Sequence, residues 1–254
     1  MIEETDSVIS DDLREQRKQL QAAVHFTVLD TVDGFTIEWN EQHLLSIPDS
    51  SGIQDHPEWV PLYRIIYHCD RDGMIDSVVN YKEVRSVIDP LIANYVEQAG
   101  LGDDPRVKAI LPYFMDSTRM MTRLLTNAGL IHRMYGITLT EGDTSKLSLY
   151  SPYSDPTTTD YSIVLDKTPL CSQNYVGVKS WSEPVIINIK DVLPGEVMGL
   201  TDLAGFEHVK ATGTENMTVC FDPKRSLVTY LDFQRNVQMD TLTCQQRVLI
   251  YERK

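Results

Sequence analysis

The sequence predicts an α+β protein in which a curved, mainly antiparallel β-rich sheet carries a central helical segment packed on one face. Three observations predict this fold: polar and apolar residues alternate early in the chain, apolar residues recur at helical spacing in the middle, and alternation returns toward the end. Strands followed by helices and more strands are typical of α+β domains. We therefore expect β-hairpins over 24–80, helices over 81–136 and antiparallel strands over 145–254.

The predicted domain organisation is a leader over 1–23 followed by a single domain over 24–254. Ser10 can cap a short surface helix within that leader, because Leu13 and Leu20 lie on one side of a heavily charged stretch. The sequence therefore predicts a short surface helix or a frayed leader ahead of the first strand.

Two hairpins are predicted before the central helices. Residues 24–40 alternate on both sides of Asp33-Gly34, and the run from Asp70 to Gly73 joins two further apolar segments. Residues 41–61 are rich in Pro, Ser and Gly, which favours a long surface loop between the two hairpins.

The first central helix is predicted to begin after Asn80, with the Asn80 side chain as its N-cap, and to end at Gly100. Pro90 lies inside it and is expected to kink it. We expect Lys82, Arg85 and Asp89 to be exposed. The residues expected to be buried are apolar and recur at helical spacing: Val84, Val87, Ile88, Leu91 and Ile92.

Further helical sequence is predicted from Asp104 and Pro105, with an interruption at Pro112 and an end at Gly136. Beyond it, period-two alternation predicts a series of strands. These strands are Tyr161 to Leu165, Tyr175 to Val178, Val185 to Ile189, Met217 to Phe221, Leu227 to Phe233 and Gln245 to Tyr251.

The charge of the chain disfavours nucleic acid and anionic membrane surfaces as partners. Its 254 residues include 23 Lys plus Arg against 37 Asp plus Glu, a formal net charge of −14. Such a field repels phosphate groups. No apolar run reaches the roughly 18 residues of a membrane-spanning helix.

The four cysteines, Cys69, Cys171, Cys220 and Cys244, are widely spaced and show no zinc-ligand pattern. Buried free thiols are the expected state. A disulfide is the alternative, and Cys220 and Cys244 are the pair that consecutive strands could bring together.

No catalytic, metal-binding or cofactor-binding residue is assigned from sequence motifs. Asp70, Asp72 and Asp76 crowd one turn, but the spacing around Gly73 does not fit an EF-hand, so a solvated turn is expected. The methionines of the helical region are expected to be core residues. The histidines match no metal or protease motif: His25, His43, His56, His68, His132 and His208.

Three stretches together resemble a group of uncharacterised exported bacterial proteins. The first is Asp33-Gly34-Phe35-Thr36-Ile37-Glu38-Trp39; the second is Asp72-Gly73 leading to Val79-Asn80-Tyr81-Lys82-Glu83-Val84; the third is Ile131-His132-Arg133-Met134-Tyr135-Gly136. The resemblance implies a periplasmic, secreted or lipid-anchored protein of unknown function, with no catalytic residues to carry over. If Met1 is the native start, a cytoplasmic location is expected instead.

Three functions are compatible with the sequence. The first is a non-catalytic envelope protein that binds an apolar or peptide ligand in the concave side of its sheet. The second is a hydrolase whose nucleophile, His and acid meet only in the fold. The third is a structural or assembly module that pairs with another protein through an exposed sheet edge or apolar patch. Among these, the non-catalytic interpretation is favoured.

Overall fold

A computed structural model describes most of the chain. The described residues are 1–10, 15–48, 55–104, 107–108, 111, 115–150, 158–165, 171, 175–182, 184–188, 210–225, 227–239 and 242–252. The chain divides into two compact units. The first unit comprises Met1–Ala23, His43–Glu58 and Ile137–Lys254, and the second comprises Val24–Gln42 and Trp59–Gly136.

Twelve strands and three helices are described, in an order of strands, helices and strands. The strands are β1 (Ile2–Ser10), β2 (Glu15–Asp30), β3 (Phe35–Pro48), β4 (Asp55–Cys69), β5 (Ile75–Val78), β6 (Thr144–Tyr150), β7 (Thr158–Leu165), β8 (Val176–Ser182), β9 (Val185–Asn188), β10 (Lys210–Asp222), β11 (Leu227–Met239) and β12 (Leu242–Tyr251). The helices are α1 (Tyr81–Gln98), α2 (Ser117–Leu124) and α3 (Thr126–His132). None of these helices has the length and hydropathy needed to span a bilayer.

The first unit is an antiparallel sheet with the strand order β2-β1-β12-β11-β10-β8-β7-β6, and β9 also pairs with β10. One face of its central strands is apolar and buried, because side chains in a strand alternate between the two faces. Its most buried members are Ile2, Ile163, Val219, Leu231, Phe233, Val237 and Val248.

The second unit holds the strand order β5-β4-β3-β2 together with α1, α2 and α3. Its buried residues come from alternate positions of β3 and β4 and from the helices. They include Ile37, Trp39, Ile65, Tyr67, Cys69, Val84, Ala128 and Leu130.

The structure confirms the strand-rich, antiparallel, mixed α/β character of the chain. The hairpin turns at Asp33-Gly34 and at Asp70 to Gly73 lie where they were predicted, and each predicted C-terminal strand falls on one of β7 to β12. Residue 189 of the third of these strands lies outside the described residues, as do Pro105 and Pro112. The single domain predicted over 24–254 stays a prediction.

The predicted N-terminal helix is wrong, since residues 15–23 belong to strand β2 and Ser10 ends strand β1. Strand β1 pairs with both β2 and β12, and Ile2 lies opposite Ala22 and Ile250 in a buried position. Pairing on both sides outweighs the weak helical pattern of a charged segment.

The predicted long loop over 41–61 is also wrong for its described part. Strand β3 continues to Pro48 and strand β4 begins at Asp55, so Pro57 and Pro61 lie within a strand. Residues 49–54 lie outside the described residues.

The expected burial of α1 is only partly correct. Val84 is buried and Lys82 is exposed as predicted, and the helix runs through Pro90 to Gln98 ahead of Gly100. However, Val87 and Leu91 are exposed, Leu91 by 62%. The residues at intermediate exposure are Ile88, Ile92, Arg85 and Asp89. An apolar stripe on a helix therefore does not identify which part of that stripe is covered.

The expectation of free thiols is wrong for Cys171 and Cys220, which form a disulfide, and the alternative pairing of Cys220 with Cys244 is wrong as well. Cys69 and Cys244 are free and buried. Strand β11 separates β10 from β12 in the sheet, so Cys220 and Cys244 are not on neighbouring strands.

Candidate functional site

The stretches Asp33 to Trp39, Asp72 to Val84 and Ile131 to Gly136 converge in the second unit around the turn between β4 and β5. Gly34 belongs to the first stretch, Gly73 to the second, and His132, Tyr135 and Gly136 to the third. We call this convergence the turn junction. Its residues are far apart in sequence, and the structure brings them together.

Close backbone approach explains the glycines of the turn junction. All three have positive φ, namely 138° at Gly34, 83° at Gly73 and 71° at Gly136. An ideal Cβ at Gly34 lies 2.1 Å from the carbonyl oxygen of Cys69, one at Gly73 lies 2.8 Å from the Tyr135 Cβ, and one at Gly136 lies 2.9 Å from the Asp72 carbonyl oxygen. A side chain at these positions would be strained both by φ and by its neighbours.

His132 connects α3 to the β4–β5 hairpin through both of its ring nitrogens. Nδ1 lies 2.8 Å from the Gly73 carbonyl oxygen and Nε2 lies 3.0 Å from the Tyr67 hydroxyl. Because a carbonyl oxygen only accepts, Nδ1 carries the proton, and Nε2 accepts from the Tyr67 hydroxyl. The ring also packs edge-on against Tyr67, with 5.5 Å between centroids.

Cys69 lies beside His132, but the geometry does not form a nucleophilic pair. The Cys69 Sγ is 3.7 Å from Nδ1, the nitrogen whose proton goes to Gly73. Burial raises the pKa of Cys69 to about 12, and the carboxylates of Asp76 and Asp70 add to the rise. The thiol is therefore protonated near neutral pH, whereas a nucleophilic cysteine needs a lowered pKa.

A second histidine, His68, faces Asp76 with 2.9 Å between Nδ1 and Oδ2. The Ser77 hydroxyl donates to the other oxygen of the same carboxylate. Burial raises the pKa of Asp76, but the hydrogen bonds from Ser77 and His68 outweigh it and the net shift is downward. A triad needs the serine on the imidazole, so this order of contacts does not activate Ser77.

Within the part of the chain that the structure describes, no three His, Cys, Asp or Glu side chains are grouped as metal ligands. The Asp70 carboxylate is engaged in its own turn, where Oδ1 accepts the backbone N–H groups of Asp72 and Met74, both at 2.9 Å. These bonds explain the acidic turn without a bound cation.

Asn80 has a structural role that differs from the predicted N-cap. No hydrogen bond joins its side chain to the backbone of α1. Instead, the Asn80 Oδ1 accepts the Ile66 N–H at 2.7 Å and its Nδ2 donates to the Arg64 carbonyl at 3.0 Å. Val79, the preceding residue, donates its N–H to the Ile66 carbonyl at 2.7 Å. The Asn80 amide thus continues the β5 hydrogen-bond ladder along the edge of β4, as another strand residue would.

At the edge of this sheet opposite β5, no described strand pairs with the end of β2. Among the described residues, β1 pairs with β2 only as far as Ala22. The residues His25 to Asp30 are all exposed, including Phe26 at 42% and both Val28 and Leu29 at 49%. We call Val24 to Asp30 the β2 edge.

Exposed apolar side chains are concentrated in the second unit. Of the large exposed hydrophobic residues in the described part of the chain, all except Val176 and Trp181 lie there. They occupy the β2 edge and its turn (Phe26, Val28, Leu29, Val32, Phe35), the neighbouring turns (Met74, Val79) and α1 (Val87, Leu91, Tyr95).

Some of the buried polar groups of the first unit contact one another across its sheet. The Tyr161 hydroxyl donates to the Glu215 carboxylate, and the Ser182 hydroxyl oxygen accepts the Glu215 N–H at 2.8 Å. Arg235 lies 3.9 Å from the other Glu215 oxygen, and both side chains are buried. Such mutual pairing lowers the free-energy cost of burying charged groups in an apolar face. These contacts therefore indicate a structural role.

A concavity of about 210 Å³ lies at β6 and β7 in the same unit, lined by Lys146, Leu147, Ser148, Asp160, Tyr161 and Ser162. Ligand pockets are usually larger, at ~300–1,000 Å³, and mainly apolar. The Ser148 hydroxyl already donates to Asp160. This concavity is therefore smaller than a typical pocket for an apolar ligand.

Comparisons with known proteins add little to this geometry. No family model matches the chain, and no curated protein matches it. It is similar to a solved structure described as "lipid-protein interactions in lipovitellin", with a TM-score of 0.45 and 9% identity over 99% of this chain and 24% of that one. The chain thus spans about a quarter of that protein's length. A likeness at this level carries no argument about function.

Proposed function

We propose that this protein is a non-catalytic binding module that accepts an extended polypeptide segment along the β2 edge. The observation that carries the proposal is the exposure of every residue from His25 to Asp30, three of them large and apolar. This proposal combines two hypotheses from the sequence, the peptide ligand of the binding protein and the exposed sheet edge of the assembly module.

The chemistry of the β2 edge suits the addition of a strand. A strand that lacks a neighbour presents unpaired N–H and C=O groups, which a second extended chain can satisfy. Phe26, Thr27 and Val28 are residues with high strand preference, and Asp30 is the only acidic or permanently charged residue of the segment. Backbone bonds would supply affinity, and contacts with alternate side chains would supply selectivity.

The geometry favours binding over hydrolysis. His132 uses both ring nitrogens to hold the turn junction, and Cys69 has a raised pKa. His68 contacts Asp76 but not Ser77. These contacts give no activated nucleophile at the turn junction.

We further propose that the helices pack on one face of the sheet in the second unit, as the sequence predicts. The contacts of His132 with Tyr67 and Cys69 support this for α3, because both residues lie on the buried face of β4. Such packing would rigidify β4 and β5 while leaving the opposite edge available.

A periplasmic or secreted location is part of the proposal. The Cys171–Cys220 disulfide supports it, because disulfides persist in oxidising compartments and are rare in reducing ones. Thiol titration of the unfolded, unreduced protein should find only Cys69 and Cys244 reactive. Four reactive thiols in protein isolated from its native compartment would contradict the disulfide and remove this support.

The binding proposal is tested by placing a charge in the β2 edge. Val28→Lys puts a solvated ammonium group on an exposed strand position, a substitution that blocks edge pairing in natural sheets. The matched control is Val176→Lys, because Val176 is a similarly exposed strand residue in the first unit. The probe is a fluorescein-labelled, end-capped peptide that alternates Val and Thr over about seven residues.

We expect Val28→Lys to weaken probe binding at least about tenfold by fluorescence anisotropy, and Val176→Lys to leave it unchanged. Both variants should unfold near the temperature of the unmodified protein. The proposal is contradicted if the unmodified protein does not bind the probe, or if both variants bind it equally.

A further inference from the structure

We infer that the segment accepted by the β2 edge is a basic strand from another protein, with Lys or Arg at the end that lies beside the hairpin turns. This inference rests on the proposed function and names the partner of the same edge.

The two hairpin turns of the second unit lie at the same end of the sheet. In an antiparallel order, the β2–β3 turn and the β4–β5 turn both connect strands at that end. Their contact is direct, because Gly34 of the first turn packs against the backbone of Cys69, the residue that precedes the second turn. A strand added to the β2 edge would therefore have one terminus at the end of the sheet that carries both turns, next to the β2–β3 turn.

The turn end of the sheet is acidic. The first turn contributes Asp30 and Asp33, and the second contributes Asp70 and Asp72, against the single cation Arg71. Asp30 and Asp70 each use Oδ1 to accept backbone N–H groups of their own turns, which holds these carboxylates in place. Fixed like charges on exposed turns produce a local negative potential.

Charge complementarity selects among possible occupants. A second copy of this chain would bring the same acidic turns and a further net charge of −14 to the interface. An anionic membrane surface is repelled for the same reason. A strand with apolar alternate positions and a basic end satisfies both the exposed apolar residues and the acidic turns.

The test compares two end-capped, labelled peptides with the same alternating Val and Thr core, one with two terminal Lys residues and one with two terminal Glu residues. We expect the unmodified protein to bind the Lys peptide about tenfold more tightly at low salt. Because exposed charges are screened, this preference should shrink toward equality near 1 M salt.

Two double variants of equal net charge test whether the preference for the Lys peptide comes from the acidic turns or from the overall charge of the protein. Asp30→Asn with Asp33→Asn removes two charges at the turn, and Asn retains an oxygen for the turn hydrogen bonds. Asp103→Asn with Asp143→Asn removes two exposed charges elsewhere. The first double variant should lose most of the Lys preference, and the second should keep it.

Each remaining outcome has a defined meaning. Equal binding of the Lys and Glu peptides overturns the basic partner but leaves the β2 edge as a binding site. Failure of both peptides to bind overturns the proposed function itself. A dimer in analytical ultracentrifugation that Val28→Lys dissociates overturns the inference by making a second copy the occupant.

Discussion

The two edges of the sheet in the second unit differ in how far their strands are paired and covered. At one edge, β5 pairs with β4, and the Asn80 side chain continues the ladder with bonds to Ile66 and Arg64. At the other, the β2 edge exposes Phe26, Val28 and Leu29. Proteins usually protect sheet edges with charges, prolines or covering segments. This contrast between an uncovered apolar edge and a closed one is the basis on which we propose the β2 edge as a binding site.

The largest loss of stability should come from a substitution in the turn junction, which lies between the two edges. Gly34→Ala introduces a Cβ that would lie 2.1 Å from the Cys69 carbonyl oxygen, at a φ of 138°. We expect a loss of about 2–4 kcal/mol in the free energy of unfolding, measured by urea titration.

Gly142→Ala is the matched control for this substitution. Its φ is also positive, at 88°, but nothing lies within 4 Å of the added Cβ. Backbone strain alone should cost about 1 kcal/mol there. Equal losses for the two variants would show that close packing at Gly34 is unimportant.

The closed edge, formed by β5 and Asn80, is tested by substituting Asn80. Two explanations of the role of this side chain predict different stabilities for the variants. If the side chain caps a helix, Asp should replace Asn without loss. If it bonds to the β4 edge, Asp keeps the acceptor for the Ile66 N–H but places a carboxylate against the Arg64 carbonyl. We expect Asn80→Ala to cost about 1–3 kcal/mol and Asn80→Asp to be destabilising as well, by urea titration. An Asp variant as stable as the unmodified protein would restore the helix-cap interpretation.

The stability of the protein should also depend on pH, through His132 of the turn junction. Burial lowers the pKa of His132, and its hydrogen bond to the Gly73 carbonyl opposes this only in part. The unfolded chain therefore takes up the proton at higher pH than the folded one. Stability should be complete above the ordinary value of about 6.5 and decrease as pH falls through it toward the lower folded pKa.

His132→Asn isolates that contribution, because Asn retains a donor for Gly73 but does not titrate. Urea titrations at about pH 8 and about pH 5 should show a smaller pH-dependent loss in the variant than in the unmodified protein. The two proteins losing stability in parallel would mean that His132 is not the titrating group.

The smallest effect on stability is expected from a substitution in the β2 edge. Val28→Lys should change the free energy of unfolding by no more than about 0.5 kcal/mol, because the side chain is already exposed. Val78→Lys, on the closed edge, buries an ammonium group at a position that is 8% exposed and should cost several-fold more. Differential scanning calorimetry compares the two, and similar losses would remove the distinction between the edges.

Local patterns predicted the turns and most strands because their causes are local. Asp70 and Gly73 set their own turn, and period-two alternation identified β7 to β12. The first part of β2, residues 15–23, was missed because its conformation depends on pairing with β1, whose partner β12 lies at the other end of the chain.

The site was less predictable than the fold. The importance of Gly34, Gly73 and Gly136 to one junction depends on contacts between segments far apart in sequence. The N-cap role predicted for Asn80 was wrong, because its partners Ile66 and Arg64 lie on a strand whose register no local pattern reveals. The exposure of Val28 and Leu29 is a property of the folded sheet that alternation alone cannot show.

Amide hydrogen exchange tests the contrast between the edges most directly, with and without the Lys-ended peptide. The account predicts that the Ile66 and Val79 amides are protected in both states, because Asn80 and Ile66 accept their protons. Outward-facing amides within Val24 to Asp30 should exchange quickly in the free protein and slow at least about tenfold when peptide binds. Amides of the β2 edge that are already protected in the free protein, or that remain fast at saturating peptide, would contradict the account.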